Sequence, residues 1–232
     1  MLELENISFK VKEKSRVKVL DSISLKLKKG SFTVITGPNG SGKSTLAQII
    51  MGIKQPTSGQ ILLDGQDITK RTITERAKLG LSFSFQQPVK FKGLTCYELL
   101  SIAYGELLPP ELAAKTLLQV GLEPSEYLAR EINDKLSGGE LKRIEIATLL
   151  LRDTEILIFD EPEAGIDLWS FTNLTKIFKK LKASGHTIII ISHQERILKL
   201  ADEVVILENG KIKTKGHPEK ILPLITGVQL WN

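Results

Sequence analysis

Gly37-Pro38-Asn39-Gly40-Ser41-Gly42-Lys43-Ser44 fits the pattern G-x-x-x-x-G-K-[ST]. In that pattern a glycine-rich loop turns its N–H groups inward around a phosphate chain. A short apolar run, residues 32–36, precedes the loop, and a helical pattern over 43–51 follows it. This strand–loop–helix context is what the motif requires, and a chance glycine-rich turn does not explain both flanks. The helix start adds positive potential. Asn39, Gly40, Ser41 and Gly42 form the cradle. Lys43 is placed to reach the outer phosphates. The Ser44 hydroxyl suits magnesium, with Thr45 in support.

A second constellation is the apolar run Ile156-Leu157-Ile158-Phe159 ending in Asp160-Glu161. In open α/β sheets, ligands sit at the C-terminal edge of the strands. Asp160 is expected to hold magnesium through water, and Glu161 to polarise an attacking water. A capping acidic pair before Pro162 is the plainer reading, but it is weak beside a phosphate loop. The third is Leu136-Ser137-Gly138-Gly139-Glu140, ahead of an apolar-periodic helix. A Ser N-cap with two glycines makes another anion-ready helix start. A second phosphate site has no obvious use in a monomer. It makes sense if it closes on the terminal phosphate held by another copy.

Hydrophobic periodicity places strands and helices around these residues. Strands are predicted over 2–9, 17–27, 32–36, 61–63 and 81–85. From about 94 to 151 the apolar spacing is helical, interrupted by Pro109-Pro110 and Gly121. Strands return at 156–159 and 187–191, a helix runs over 169–183, and another over 195–200. Strands 204–207 and 211–213 flank the hairpin turn Asn209-Gly210. Continuous apolar strands alternating with helices imply a parallel sheet covered on both faces.

Composition excludes several classes. The chain has 232 residues, 41% hydrophobic and 25% charged, which suits one soluble globular domain. Its net charge of +5 is spread along the chain without basic blocks, so no nucleic-acid partner is expected. The single cysteine, Cys96, cannot form an internal disulfide and reads as a small buried hydrophobe. The longest apolar runs fall far short of the ~20 residues that span a bilayer. No charged-then-apolar leader opens the chain. The expected location is cytoplasmic, with any membrane role supplied by a partner.

In this order the motifs resemble the ABC ATPases along essentially the whole chain. The resemblance implies an α/β fold: a P-loop NTPase core of ABC ATPase type with an antiparallel β subdomain and an inserted helical subdomain. It implies a single domain over 1–232, with 1–87 and 152–232 as nucleotide-binding core and 88–151 as the helical signature subdomain. It implies ATP and magnesium as cofactors. A second copy is the expected partner, in an ATP-dependent head-to-tail dimer. Each ATP would lie between one copy's phosphate loop and Ser137, Gly138 and Gly139 of the other. Gln86 matches the glutamine that ligates magnesium and links the core to the helices. It is preferred to Gln87 because it directly follows a strand. His193 matches the histidine that contacts the terminal phosphate and orders the water, and Asp167 the loop that crosses the dimer interface. Many members stack adenine on an aromatic residue two places after Phe9. Here that place is Val11, and apolar contact replaces about 1 kcal/mol of stacking.

Within the family, Ser137-Gly138-Gly139-Glu140-Leu141-Lys142-Arg143-Ile144-Glu145-Ile146 resembles the ATPase subunit of the Suf iron–sulfur cluster assembly scaffold. Phe85-Gln86-Gln87-Pro88-Val89, Glu163-Ala164-Gly165-Ile166-Asp167 and His193-Gln194-Glu195-Arg196-Ile197-Leu198 are similar to the same subfamily. Pro162-Glu163-Ala164 departs from its usual triplet, and the stretch from Gln86 to Leu136 is short for it. The preferred partner at this level is a soluble scaffold of iron–sulfur assembly. The alternative is the transmembrane subunits of an ABC transporter. Either is expected to dock beside Gln86, against Pro88, Val89, Phe91, Leu94 and Tyr97.

Overall fold

The structure, a computed structural model, describes residues 1–11, 18–89 and 91–226. Val17, the predicted start of the second strand, lies outside them. β1 (Leu2–Lys10) pairs antiparallel with β2 (Lys18–Leu27) and with β4 (Ser58–Leu63), and β5 (Gln66–Asp67) completes a four-stranded sheet of order β2-β1-β4-β5. Leu2, Leu4 and Ile7 are fully or almost fully buried. The alternation slips by one between Leu4 and Ile7, where the register shifts and Asn6 takes a φ of 51°. The extra residue of a bulge restores the buried side to the core.

The second sheet has the order β10-β9-β3-β8-β7-β6. β3 (Phe32–Thr36), β6 (Leu81–Ser84), β7 (Ile156–Asp160), β8 (Thr187–Ile191) and β9 (Glu203–Glu208) run parallel, and β10 (Lys211–Gly216) joins antiparallel to β9. β3, β6, β7 and β8 are buried along their whole length. Both faces are therefore covered, as the continuous apolar runs predict. Ile156 and Ile158 join a core shared with β1, β2 and α1 (Lys43–Met51), so α1 is packed between the two sheets. Leu157 and Phe159 face the other way, into a core built with the helices.

Between β6 and β7 the described chain is helical: α3 (Cys96–Tyr104), α4 (Pro110–Gln119), α5 (Pro124–Tyr127) and α6 (Gly138–Leu151). α7 (Leu168–Ala183) and α8 (Glu195–Leu198) follow, and α9 (Pro218–Thr226) ends the described chain. Pro109-Pro110 is a break and also a beginning, since Pro110 opens α4 where its missing N–H costs nothing. Cys96 is fully buried, and burial pushes its thiol up to about 11. It is a packing residue.

Three elements escape the sequence pattern, the two-residue strand β5 among them. α2 (Ile73–Lys78) is short, but Thr72 and Glu75 form a capping box, a signal present in the sequence. α2 carries Arg76, whose guanidinium is fully buried and donates to the carbonyls of Ile49 at 2.8 Å and Ile50 at 2.6 Å. A cation thus meets the C-terminal end of α1, where the helix dipole is negative. α9 is the third element the periodicity leaves unread. Among the described residues, no helix is long and apolar enough to cross a membrane.

Candidate functional site

The loop from β3 into α1 is glycine-rich for steric reasons. Gly37 has a φ of 144°, and a Cβ there would stand 1.9 Å from the Leu207 carbonyl oxygen. Gly42 caps α1 with a φ of 101°, and a Cβ would meet the Leu20 side chain at 2.6 Å. Only glycine lets the loop close this tightly on its neighbours. Lys43 folds back into the loop, donating to the carbonyls of Gly37 at 2.8 Å and Pro38 at 2.9 Å. Burial lowers its pKa, while Glu161 and Asp160 pull it back up.

The end of β7 is tied to the start of α1. Ser44 Oγ donates to Asp160 Oδ1 at 3.0 Å. Asp160 is buried, and burial raises its pKa against the Ser44 hydrogen bond. Glu161 takes a φ of 45°, unusual for a side-chain-bearing residue, and its N–H donates to the Ile191 carbonyl at 3.0 Å. Such backbone strain is held by surroundings and clusters at working sites. The turn brings its carboxylate between two partners. Gln86 Nε2 donates to Glu161 Oε2 at 2.6 Å, and His193 Nε2 stands 3.7 Å from Glu161 Oε1. Burial lowers the His193 pKa, Lys43 lowers it further, and Glu161 opposes them.

An open cleft of about 440 Å³ is lined by Asn39, Gly40, Gly42, Lys43, Ser44 and Thr45, together with Gln86 and Glu161. It thus gathers half of the site residues singled out from sequence, and Gln86 rather than Gln87 reaches it. Ser41 is buried within the loop. Asp160 and His193 do not line the cleft; each is one contact away, through Ser44 and Glu161 respectively. Val11 is exposed and does not line the cleft, whereas Val19 does. Nothing in the spacing of the β-rich run over 17–27 singles Val19 out.

Ser137, Gly138 and Gly139 do not line the cleft either. Ser137 caps α6 in a capping box with Glu140. Glu140 also accepts from the Tyr127 hydroxyl and pairs with Arg130 at 3.2 Å. Burial alone would raise its pKa; Tyr127, Ser137 and Arg130 outweigh that and bring it down to about 2. A Cβ on Gly139 would lie 3.5 Å from the Gly165 carbonyl oxygen, so this helix start adjoins the loop that carries the exposed Asp167.

Two residues of the signature stretch, not singled out as site residues from sequence, tie α6 to the strand end before Gln86. Lys142 of α6 is fully buried, donates to the Phe85 carbonyl oxygen and pairs with Glu145 at 3.1 Å. Glu145 Oε1 accepts from the Phe85 N–H at 2.9 Å. Both main-chain groups of the residue before Gln86 are therefore held by α6. The same face opens on an apolar groove of about 420 Å³, with Phe85, Val89, Phe91 and Ile102 exposed along it. Pro88, Leu94 and Tyr97 do not line it; Leu94 and Tyr97 pack against the helical core.

A phosphate loop, a carboxylate pair at the next strand end and a separate capped glycine pair define an ATPase of the ABC class. The chain belongs to the ABC transporter family, whose profile matches residues 20–164. It is 36% identical over 211 residues to an uncharacterized ABC transporter ATP-binding protein of Methanocaldococcus jannaschii, covering 88% of this chain and 84% of that one. It is 35% identical over 212 residues to an energy-coupling factor transporter ATP-binding protein of Lactobacillus johnsonii, covering 87% and 73%. It is similar to the dimeric structure of a bacterial ABC transporter cassette, with a TM-score of 0.85, 25% identity and coverage of 94% and 99%. A post-hydrolysis dimer bound to ADP and Pi matches at a TM-score of 0.84 and 27% identity, with coverage of 94% and 99%. The chain is an ATP-binding, ATP-hydrolysing ABC ATPase. These relatives carry the names of transport ATPases. That backs the transporter alternative above the iron–sulfur scaffold preferred from the signature stretch.

Proposed function

We propose that the chain is the ATPase subunit of a membrane transporter, working as half of a head-to-tail dimer around two magnesium–ATP. The donor set fits the metal: the Ser44 hydroxyl, the Asp160 carboxylate and the Gln86 amide are hard oxygen ligands of the kind magnesium takes. Magnesium, when bound, neutralises charge on the transferring phosphoryl group. The chain's own residues do the rest. Lys43 leaves its loop carbonyls for the outer phosphates. Glu161 orients and polarises the attacking water. His193 contacts the terminal phosphate and steadies Glu161, and Gln86 reports occupancy to the helices. Ser137, Gly138 and Gly139 complete the other copy's site, with Asp167 beside them at the interface. Their position outside the chain's own cleft, beside the Asp167 loop, supports that reading.

The observation that carries the partner is the apolar groove joined to the Gln86 loop. Exposed apolar surface of this kind marks a docking site, and α6 forms its floor through Leu141 and Ile144. ATP-driven movement of α6 would therefore move whatever sits there. The transport ATPases among its relatives favour a membrane-embedded occupant. The signature stretch from Ser137 to Ile146 favours a second reading, a soluble scaffold for iron–sulfur clusters. Co-expression with the neighbouring genes and anaerobic purification separates them. A colourless complex that stays in detergent micelles, broken by Phe91→Asp without loss of ATP binding, is the expected result. A brown, detergent-free complex with charge-transfer absorbance would move the protein to the scaffold class.

A further inference from the structure

Glu163 lies three positions beyond Asp160, on the loop after β7, and reaches the end of β8. Its Oε1 accepts a hydrogen bond from Ser192 Oγ at 2.5 Å. The same serine oxygen accepts from the Gln194 N–H at 3.0 Å. Ser192 is fully buried, and its own N–H donates to the Ile35 carbonyl of β3 at 3.3 Å. His193 is the residue between these two anchored neighbours. Glu163 Oε2 is buried, and besides Ser192 the main chains of Glu163 itself and of His193 also act on the carboxyl.

The chemistry of the hydroxyl explains why an acceptor is needed here. A serine hydroxyl has one proton to give and lone pairs to receive with. With Glu163 taking the proton, the lone pairs face the Gln194 N–H and the turn from Ser192 to Gln194 has one geometry. Without an acceptor the rotor is free, and the turn loses the contact that fixes it. Burial raises the Glu163 pKa, against the Ser192 hydrogen bond that lowers it.

We propose that Glu163 is a positioning residue for His193, acting through Ser192 to hold the turn that sets the imidazole beside Glu161. This extends the role proposed for His193 and rests on it. Glu163 does not line the cleft, so its loss acts on the rate and spares nucleotide affinity.

Single-turnover hydrolysis and ATP affinity, measured on the full chain, test it. The variants are Glu163→Ala, Glu163→Gln, Ser192→Ala, His193→Ala and the double variant Glu163→Ala with His193→Ala. Glu163→Ala and Ser192→Ala are expected to slow the rate about 10-fold, since small misplacements of a reacting group cost that much or more. ATP affinity stays within about twofold. Glu163→Gln keeps an acceptor oxygen and is expected to keep most of the rate. In the His193→Ala background, Glu163→Ala adds nothing further, because residues acting through one group are not additive. His193→Ala at the wild-type rate would overturn the reading of His193 itself. A slow His193→Ala beside effects that multiply in the double variant overturns only the Glu163 assignment. Ser192→Ala removes a single oxygen and serves if Glu163→Ala loses its thermal transition; a Ser192→Ala protein at the wild-type rate overturns the proposal.

Discussion

His193 and Glu161 face each other at 3.7 Å, and their pairing decides how the site responds to acid. Burial first, and then the Lys43 charge, hold the imidazole below its ordinary value of 6.5. The neutral ring is therefore the main form at pH 7, and its titration midpoint lies on the acid side of 6.5. The rate of hydrolysis is expected to fall through an acid limb centred below that value. His193→Gln is expected to remove that limb. A pH–rate profile between about pH 5 and 8 checks this; a limb centred above 6.5 contradicts it. The gathering of Lys43, Ser44 and Glu161 at one cleft, with Asp160 bound to Ser44, was legible in the sequence. Lys43, Ser44, Asp160 and Glu161 could be read because their chemistry needs fixed types at fixed spacing. Lys142 and Glu145 could not be singled out, because a Lys and a Glu three apart on a helix are ordinary on any solvated face.

The elements were legible where pattern alone decides them. β3, α1 and β8 fall at their predicted bounds, because a buried strand is a bounded apolar run and α1 is bracketed by Gly42 and Gly52. Short elements were not, since α2 depends on the capping box at Thr72 and on Arg76 packing beneath α1. The α6–Phe85 clamp is likewise a tertiary fact. It ties the signature helix to Gln86 by two hydrogen bonds on one residue. Lys142→Met keeps the stem and removes the donor, leaving the Phe85 carbonyl and Glu145 short of a partner. An unsatisfied buried group costs about 1–3 kcal/mol. Denaturant unfolding is expected to register a loss of that size. Single-turnover hydrolysis is expected to slow more than ATP binding weakens, because Gln86 is then less firmly held. Unchanged stability and rate would show that the clamp is not a coupling element.

At the scale of the molecule, one sheet-bound cleft carries Lys43, Ser44 and Glu161, while Ser137, Gly138 and Gly139 start a helix outside it, beside the Asp167 loop. The two halves of the proposed nucleotide sandwich are each a local motif and readable in sequence, but where they lie on one chain is not. That placement comes from α6 packing across β6 and the helical core, a long-range result. The choice of partner was the least legible, because a groove records only that something apolar docks there. In the proposed dimer a working site takes its phosphate loop from one copy and its signature from the other. Mixing a Lys43→Ala chain with a Ser137→Arg chain tests it directly. Neither homodimer holds an intact site, whereas the mixed dimer holds one. The expected result is two inactive proteins that regain hydrolysis on mixing. Full activity of Ser137→Arg alone, in a preparation shown to be monomeric, would contradict it.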